Sequence, residues 1–514
     1  MKKIIKLCLA VLLSFFILPF GAYAVTVSSW AELQTQIGLK AVGGTETFIV
    51  DGVMSSGLLG TISPPANTNL TFIRDQVGTL QFTGGASDGP FFNAGTGTTL
   101  TFIPWNTTSF NNSNSSTAGG ALSSNGATFN FLGSTVFFAN NSTTDSVNGG
   151  GAIFLQGAGS NVTFNQTGPL SAANNTALNG NGGFLMGAAG ARTITFDNSS
   201  SFFIENSAQQ GGAIFLQAGT MNFYGNANFI DNTSLATSGR GGGAIALGNT
   251  NTTFAGYSYF TNNSAALQGG ALDLQQSTVT FNGSATFENN TAGAAGVAAT
   301  VGGAIRMTAS TLSFNGALTQ FINNTNLGTI GNSNPGGAIF LMNNSTLTFG
   351  QSIDDIFIAS GNSSPHGAGG FLHSISPNTI TFNATSTFTN NSATNGGVIN
   401  IWNGGQFTFN NASFLGNSAN VNGGAIFAQG SPQNTTSLTF NTLADGQTLF
   451  QGNTAGGVSS GLHIEQFTNT TFNTAAGGNV WMNDGMSSNV GVAGTAVLNI
   501  MGDGVFNLNA VANT

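Results

Sequence analysis

A Gly-Gly pair returns in register twelve times between residues 119 and 457, with starts 27 to 34 residues apart. A repeat of that length restricts a chain to stacked units that bury their apolar faces against one another. The fullest copies are Gly150-Gly151-Ala152-Ile153, Gly211-Gly212-Ala213-Ile214, Gly336-Gly337-Ala338-Ile339 and Gly423-Gly424-Ala425-Ile426, each followed by Phe. Two more signatures recur inside the period. One is an alternating run, as in Val162-Thr163-Phe164-Asn165, Val279-Thr280-Phe281-Asn282 and Leu438-Thr439-Phe440-Asn441; a period of two with β-branched and aromatic residues means a strand with Phe on one face and Thr and Asn on the other. The other is Phe, two residues, Asn, in nine copies: Phe138 with Asn141, Phe203 with Asn206, Phe229 with Asn232, Phe260 with Asn263, Phe287 with Asn290, Phe321 with Asn324, Phe388 with Asn391, Phe414 with Asn417 and Phe450 with Asn453.

Three short strands in each period of about 30 residues predict an all-β parallel β-helix, a solenoid whose strands each pair with their equivalents one coil away at ~4.8 Å. A propeller blade needs four strands over a longer repeat, and a leucine-rich repeat needs its own Leu spacing; neither pattern is present. In this arrangement equivalent Phe side chains stack into interior columns. Glycines turn the chain where φ is positive or no Cβ fits, and Asn stacked on Asn runs an amide ladder along the axis. Twelve coils give a rod of roughly 55 to 60 Å. Ser29-Trp30-Ala31-Glu32 has capping-box spacing and opens a short capping helix over residues 33–37.

The expected organisation is a signal peptide over residues 1–24, an N-terminal cap and first coils over 25–99, the repeat β-helix over 100–457, and degenerate terminal coils or a linker over 458–514. The signal rests on Lys2, Lys3 and Lys6, an apolar run up to Phe20 and the small residues around Ala24, after which cleavage is expected. The single cysteine, Cys8, lies within it, so disulfides and thiol chemistry are excluded from the mature chain. Removing the three lysines leaves five basic residues against 17 acidic, a balance of −12 with His neutral, which argues against nucleic acid as a partner. After Phe20 no apolar stretch is long enough to span a bilayer as a helix.

Low charge alone suggests disorder, but 44 Phe against four Tyr supply a long core. No Lys follows the Gly pairs to hold a phosphate, and the Asp-bearing calcium nonapeptide is missing, so no cofactor or metal is expected. Since some β-helices degrade polysaccharides, Asp354-Asp355 with His366-Gly367 form the alternative, catalytic reading. Neighbouring residues on a strand face opposite sides, and no basic residue follows Arg306 to hold an acidic sugar, so a polar turn is expected there instead. His373 and His463 read as isolated surface histidines. A further alternative is an ice-binding Thr ladder, raised by the Thr-x-Thr pairs Thr278 and Thr280, Thr346 and Thr348, and Thr379 and Thr381, although ordinary strand propensity explains them.

The pairing of Gly-Gly-Ala-(Ile/Leu/Val) with Phe-x-x-Asn resembles the polymorphic outer membrane proteins of chlamydiae over residues 100–457. The resemblance implies a right-handed β-helix displayed at the bacterial surface as an autotransporter passenger, with adhesion to host cells as its activity and the motif copies quoted above as its adhesion segments. It implies a host-cell receptor or glycan and the outer membrane as partners; a second copy of the chain is a further candidate partner. Members of that family continue into an outer-membrane barrel, and nothing after residue 457 has the length to form one, so attachment is expected through a missing barrel or another protein. Members also carry passenger cysteines, which this chain lacks.

Overall fold

The computed structural model describes residues 24–55, 60–74, 78–84, 89–190, 192–293, 300–328, 335–489 and 495–509. The expected signal lies outside the described residues except for Ala24, which opens the first strand, Ala24–Val27. The chain winds into a parallel β-solenoid of about 14 turns with about 30 residues per turn. One coil runs from Ile214–Leu216 through Gly219–Phe223 and Asn226–Ile230 to Thr233–Ser234, and Ile245–Gly248 begins the next. Pairing keeps the repeat in register: Ile214 lies opposite Ile245, Phe223 opposite Phe254, and Phe229 opposite Phe260.

The strands after Gly-Gly form a first ladder of 14 strands, the Thr-Phe strands a second of 17, and the strands bearing the Phe of Phe-x-x-Asn a third of 16. A fourth ladder of 13 strands follows the Asn, and most of its strands are only two residues long, as in Ser264–Ala265. Two residues are too few to show any periodicity, which is why the sequence points to three strands per coil. The second ladder spans about 75 Å, longer than the Gly-Gly section alone. Coils continue beyond residue 457, and Ala496–Gly502 and Val505–Leu508 pair in register as the last of them.

Alternation places the Phe residues inside. Phe223, Phe254 and Phe281 stack at 4.7 and 4.5 Å with nearly parallel rings in the second-ladder column. The third-ladder column does the same, with Phe260 and Phe287 at 4.7 Å and 1°. Between columns the rings meet edge to face, as Phe281 meets Phe287 at 84°. Both are favoured aromatic geometries, so one pattern of Phe supplies both burial and orientation.

Two coils depart from it together. In the third ladder Ala172 stands between Phe138 and Phe203, and Ala359 between Phe321 and Phe388. In those same coils the Ala after Gly-Gly is replaced by Phe184 and Phe371. Phe184 sits 5.4 Å from Phe138 and 5.6 Å from Phe203, and Phe371 sits 5.4 Å from Phe321 and 5.9 Å from Phe388. A ring missing from one wall is thus supplied from another, which keeps the interior at packing density.

The Asn of Phe-x-x-Asn turns inward and is fully buried in every copy. From Asn141 to Asn453 eleven such amides form an unbroken ladder, each Nδ2 donating to the next Oδ1 at 2.8 to 3.0 Å. The second Nδ2 hydrogen goes to a carbonyl of the preceding coil, as Asn263 donates to Phe229 O at 2.9 Å, and the following coil's Oδ1 also accepts the backbone N–H of Asn263. Asn175 and Asn362 are rungs that the Phe-x-x-Asn pattern omits, because their coils carry Ala172 and Ala359. The ladder ends on Asp484, whose carboxylate accepts from Asn453 Nδ2 at 2.6 Å and from the Gly452 and Asn453 N–H groups. An anion at the donor end of aligned amides is favourable for the reason it is at a helix N-terminus.

At the other end a helix, α1 (Trp30–Gly38), covers the first coils and buries Trp30, Leu33 and Ile37. Ser29 caps it by accepting from Glu32 N, while Glu32 reaches back to Ser28 N. Trp30 then packs edge-on against Phe82, Phe91 and Phe92, closing the column.

Candidate functional site

The Gly-Gly motif is a packing device. Gly150 has φ of +73°, and a Cβ there would fall on the Ile153 carbonyl; a Cβ on Gly151 would fall on the Gly183 carbonyl of the next coil. Gly211, Gly212, Gly423 and Gly424 meet the same constraints, as do Gly336 and Gly337 apart from the positive φ, which Gly336 lacks. Ala152, Ile153, Ala213, Ile214, Ala338, Ile339, Ala425 and Ile426 are 0% exposed, as are Phe138, Phe203, Phe260, Phe287 and Phe388 with Asn141, Asn206, Asn263, Asn290 and Asn391. The motif residues therefore set the spacing of the surface from beneath it.

Phe154, Met186, Phe215 and Ala246 form an apolar row on the outward face of the first ladder. That face is covered where the segments leading into Gly119, Gly150 and Gly242 reach it: Ala118 packs on the row there, Gly149 N donates to Met186 Sδ, and Gly241 N donates to Asp273 Oδ2. Further along, Asp273 is fully buried, paired with Arg306 Nη1 at 2.8 Å and accepting from Gly241 N at 2.7 Å. Arg240 lies over the Phe215 ring and donates to Gln275, and burial holds its guanidinium below the ordinary arginine range. Nearby, burial pushes Arg192 down to about 10. The expectation for two histidines is corrected: His373 is 0% and His463 only 7% exposed, stacked on Phe340 and Phe427 respectively. Both hold outward positions of the first ladder and are buried all the same, which no local sequence feature announces.

Asp354, Asp355 and His366 are not gathered into one constellation. Asp355 sits in the turn before Ile356–Ser360, where its Oδ2 accepts from Gln351 N and Ser352 N, so this carboxylate shapes the turn. Asp354 is exposed beside it, and His366 is exposed on the fourth-ladder strand Ser363–Ala368. Among the described residues there is no group of three or more His, Cys, Asp and Glu able to hold a metal ion, and no helix long and apolar enough to cross a membrane.

The Thr-x-Thr pairs do stack: Thr278, Thr311, Thr346 and Thr379 form one outward row of the second ladder, and Thr280, Ser313, Thr348 and Thr381 its neighbour. Asn251 precedes the first row and Gln406 ends it, so the two-row array covers four coils. The outward face of the third ladder is different again. Phe137, Phe202 and Tyr259 point out of it, immediately before the inward Phe138, Phe203 and Phe260. Two adjacent aromatics ahead of the Asn are visible in the sequence, and that doublet is the signal which an inward-facing reading of Phe-x-x-Asn passes over.

Among protein families, the Chlamydia polymorphic membrane protein repeat matches residues 411–429, a stretch that contains Phe414, Asn417 and the Gly423-Gly424-Ala425-Ile426 motif of a single coil. That likeness points to a surface or outer-membrane location. No curated protein sequence matches. Among solved structures, the PL6 family alginate lyase AlyGC is similar over 96% of this chain and 90% of its own, with 10% identity and a TM-score of 0.17, too low to carry a structural argument.

Proposed function

We propose that the protein is a surface-displayed, non-catalytic β-solenoid acting as an adhesin or antigenic rod. The observation that carries this reading is the matched coil at residues 411–429, whose paired motifs recur at coil spacing along the rod. Contact with a host-cell receptor or glycan uses the side chains and loops that the buried motifs hold at regular intervals. Many weak equivalent contacts then add by multivalency. Attachment to the outer membrane is through a barrel or another protein.

The test is binding of the purified chain from residue 25 onward to a panel of cultured animal cells. Saturable binding that survives any single loop substitution is expected. No binding to any cell line, or abolition by one point substitution, overturns the reading. Product release from an acidic polysaccharide that disappears in Asp355→Asn or His366→Ala overturns its non-catalytic part.

A further inference from the structure

Because the third ladder pairs in register, its outward positions form a straight row: Phe137, Ser171, Phe202, Asn228, Tyr259. Aromatic rings stand at every second coil, about 9.6 Å apart, with a small polar side chain between each pair. At that separation they cannot stack on one another as the interior rings do. Phe137 is 40% exposed, and Phe202 and Tyr259 are half-buried. Tyr259 is held in place, its hydroxyl donating to Glu288 Oε2 at 2.6 Å, and the Tyr257 ring lies 6.4 Å away at 19°. From Gln81 through Ser109 to Thr286 and Gln320 no position in the row is charged. A shallow groove of about 520 Å³ lies against Phe137 and extends the row through Ser109 and Gln81, with Asn111 of the neighbouring row on its side.

We propose that this strip binds an extended, neutral, β-linked polysaccharide laid along the axis of the rod. The inference names a ligand class for the adhesin reading and rests on it only for the protein's place at the surface. Sugar rings present apolar C–H faces that stack on aromatic side chains, while their hydroxyls need polar partners of the kind Ser171 and Asn228 supply. The two-sugar repeat of a β-1,4-linked chain is close to two coil rises, so every second sugar meets a ring. Among the described residues no Lys or Arg stands in the row, and the chain carries a net charge of −9, which disfavours an acidic glycan. The strands beneath the rings are paired on both sides, so the face offers no free backbone edge for a partner strand and recognition falls to the side chains.

The experiment is calorimetric titration of the chain from residue 25 onward with β-1,4-glucan and chitin oligosaccharides of increasing length, with alginate as the anionic control. Affinity is expected to rise until the oligomer spans about 20 Å, the distance from Phe137 to Tyr259, and then to level off. Phe137→Ala, Phe202→Ala and Tyr259→Ala each weaken binding by about tenfold, and the triple variant loses it. Phe137→Tyr and Phe202→Tyr retain binding, as does Trp402→Ala on another face. Since all three rings point outward, circular dichroism and thermal unfolding of the triple variant match the native protein.

Undiminished binding by the triple variant, preference for alginate, or no binding to any neutral polysaccharide overturns the proposal. Cell adhesion is scored alongside. Adhesion without polysaccharide binding removes the strip and leaves the adhesin reading; polysaccharide binding without adhesion does the reverse.

Discussion

Asn263 shows how much one position in a coil must do. Its amide uses both hydrogens and its Oδ1 takes two donors, all inside a fully buried turn. The residue before it, Asn262, has φ of +54°, in the left-handed region that Asn tolerates. Asn263→Ala leaves the Asn232 side-chain and backbone N–H groups without their acceptor and takes the second donor from the Phe229 carbonyl, so a loss of about 3 to 5 kcal/mol is expected in urea unfolding. Asn315→Ala, which removes only an exposed amide bond to Asn282, should change stability by about 0.5 kcal/mol or less. Gly151→Ala places a methyl group on the neighbouring coil's backbone. It should cost at least about 2 kcal/mol, more than any outward substitution on the second ladder.

At the scale of the element, Ala172 and Phe184 act as one unit. Phe184→Ala alone empties the place of a ring and should cost about 3 to 5 kcal/mol. Ala172→Phe alone forces a second ring into a filled column and should cost about 1 to 3 kcal/mol. The double variant restores the pattern of the other coils, so a double-mutant cycle is expected to recover most of the loss; additive costs would mean the two sites do not share volume. This exchange also marks where sequence reading stops. The Phe-x-x-Asn pattern is legible because Phe marks it, so nine rungs of the amide ladder can be found and Asn175 and Asn362 cannot. The strand type, the inward Phe and the capping helix follow from spacing alone, since alternation and a cap are local. The fourth ladder and the burial of Asp273 are not local: one is shorter than any period, and the other depends on the segment before Gly242, which reaches over from the preceding coil.

The whole molecule is a one-dimensional stack in which each coil touches only its neighbours. Deleting residues 264–290 joins Asn263 to Thr291 in place of Ser264, its equivalent in the register. The variant should fold cooperatively and be about 4.8 Å shorter by small-angle scattering, whereas removing half a coil should prevent folding. Charge contributes little to this stack. Among the described residues only Lys40 with Glu46 and Arg306 with Asp273 pair a carboxylate with Lys or Arg, besides the contact of His463 with Glu465. Raising NaCl from about 0.05 to 1 M should therefore move the unfolding free energy by less than about 1 kcal/mol.

The amino-acid sequence by itself determined the repeat, the inward and outward faces of two ladders, the Asn ladder and the class of solenoid, because each follows from periodicity and from which residues tolerate burial or a left-handed turn. Tertiary structure alone decided which outward faces stay open. The first ladder is as outward-facing as the third, yet the segments before Gly119 and Gly242 reach over it, and Phe154 and Asp273 are buried there. The third keeps Phe137 exposed and Phe202 and Tyr259 half-buried, and coil-to-coil register sets the three in a line. Residues some 60 positions apart become neighbours on one surface only when the coils stack, and that alignment belongs to no single repeat.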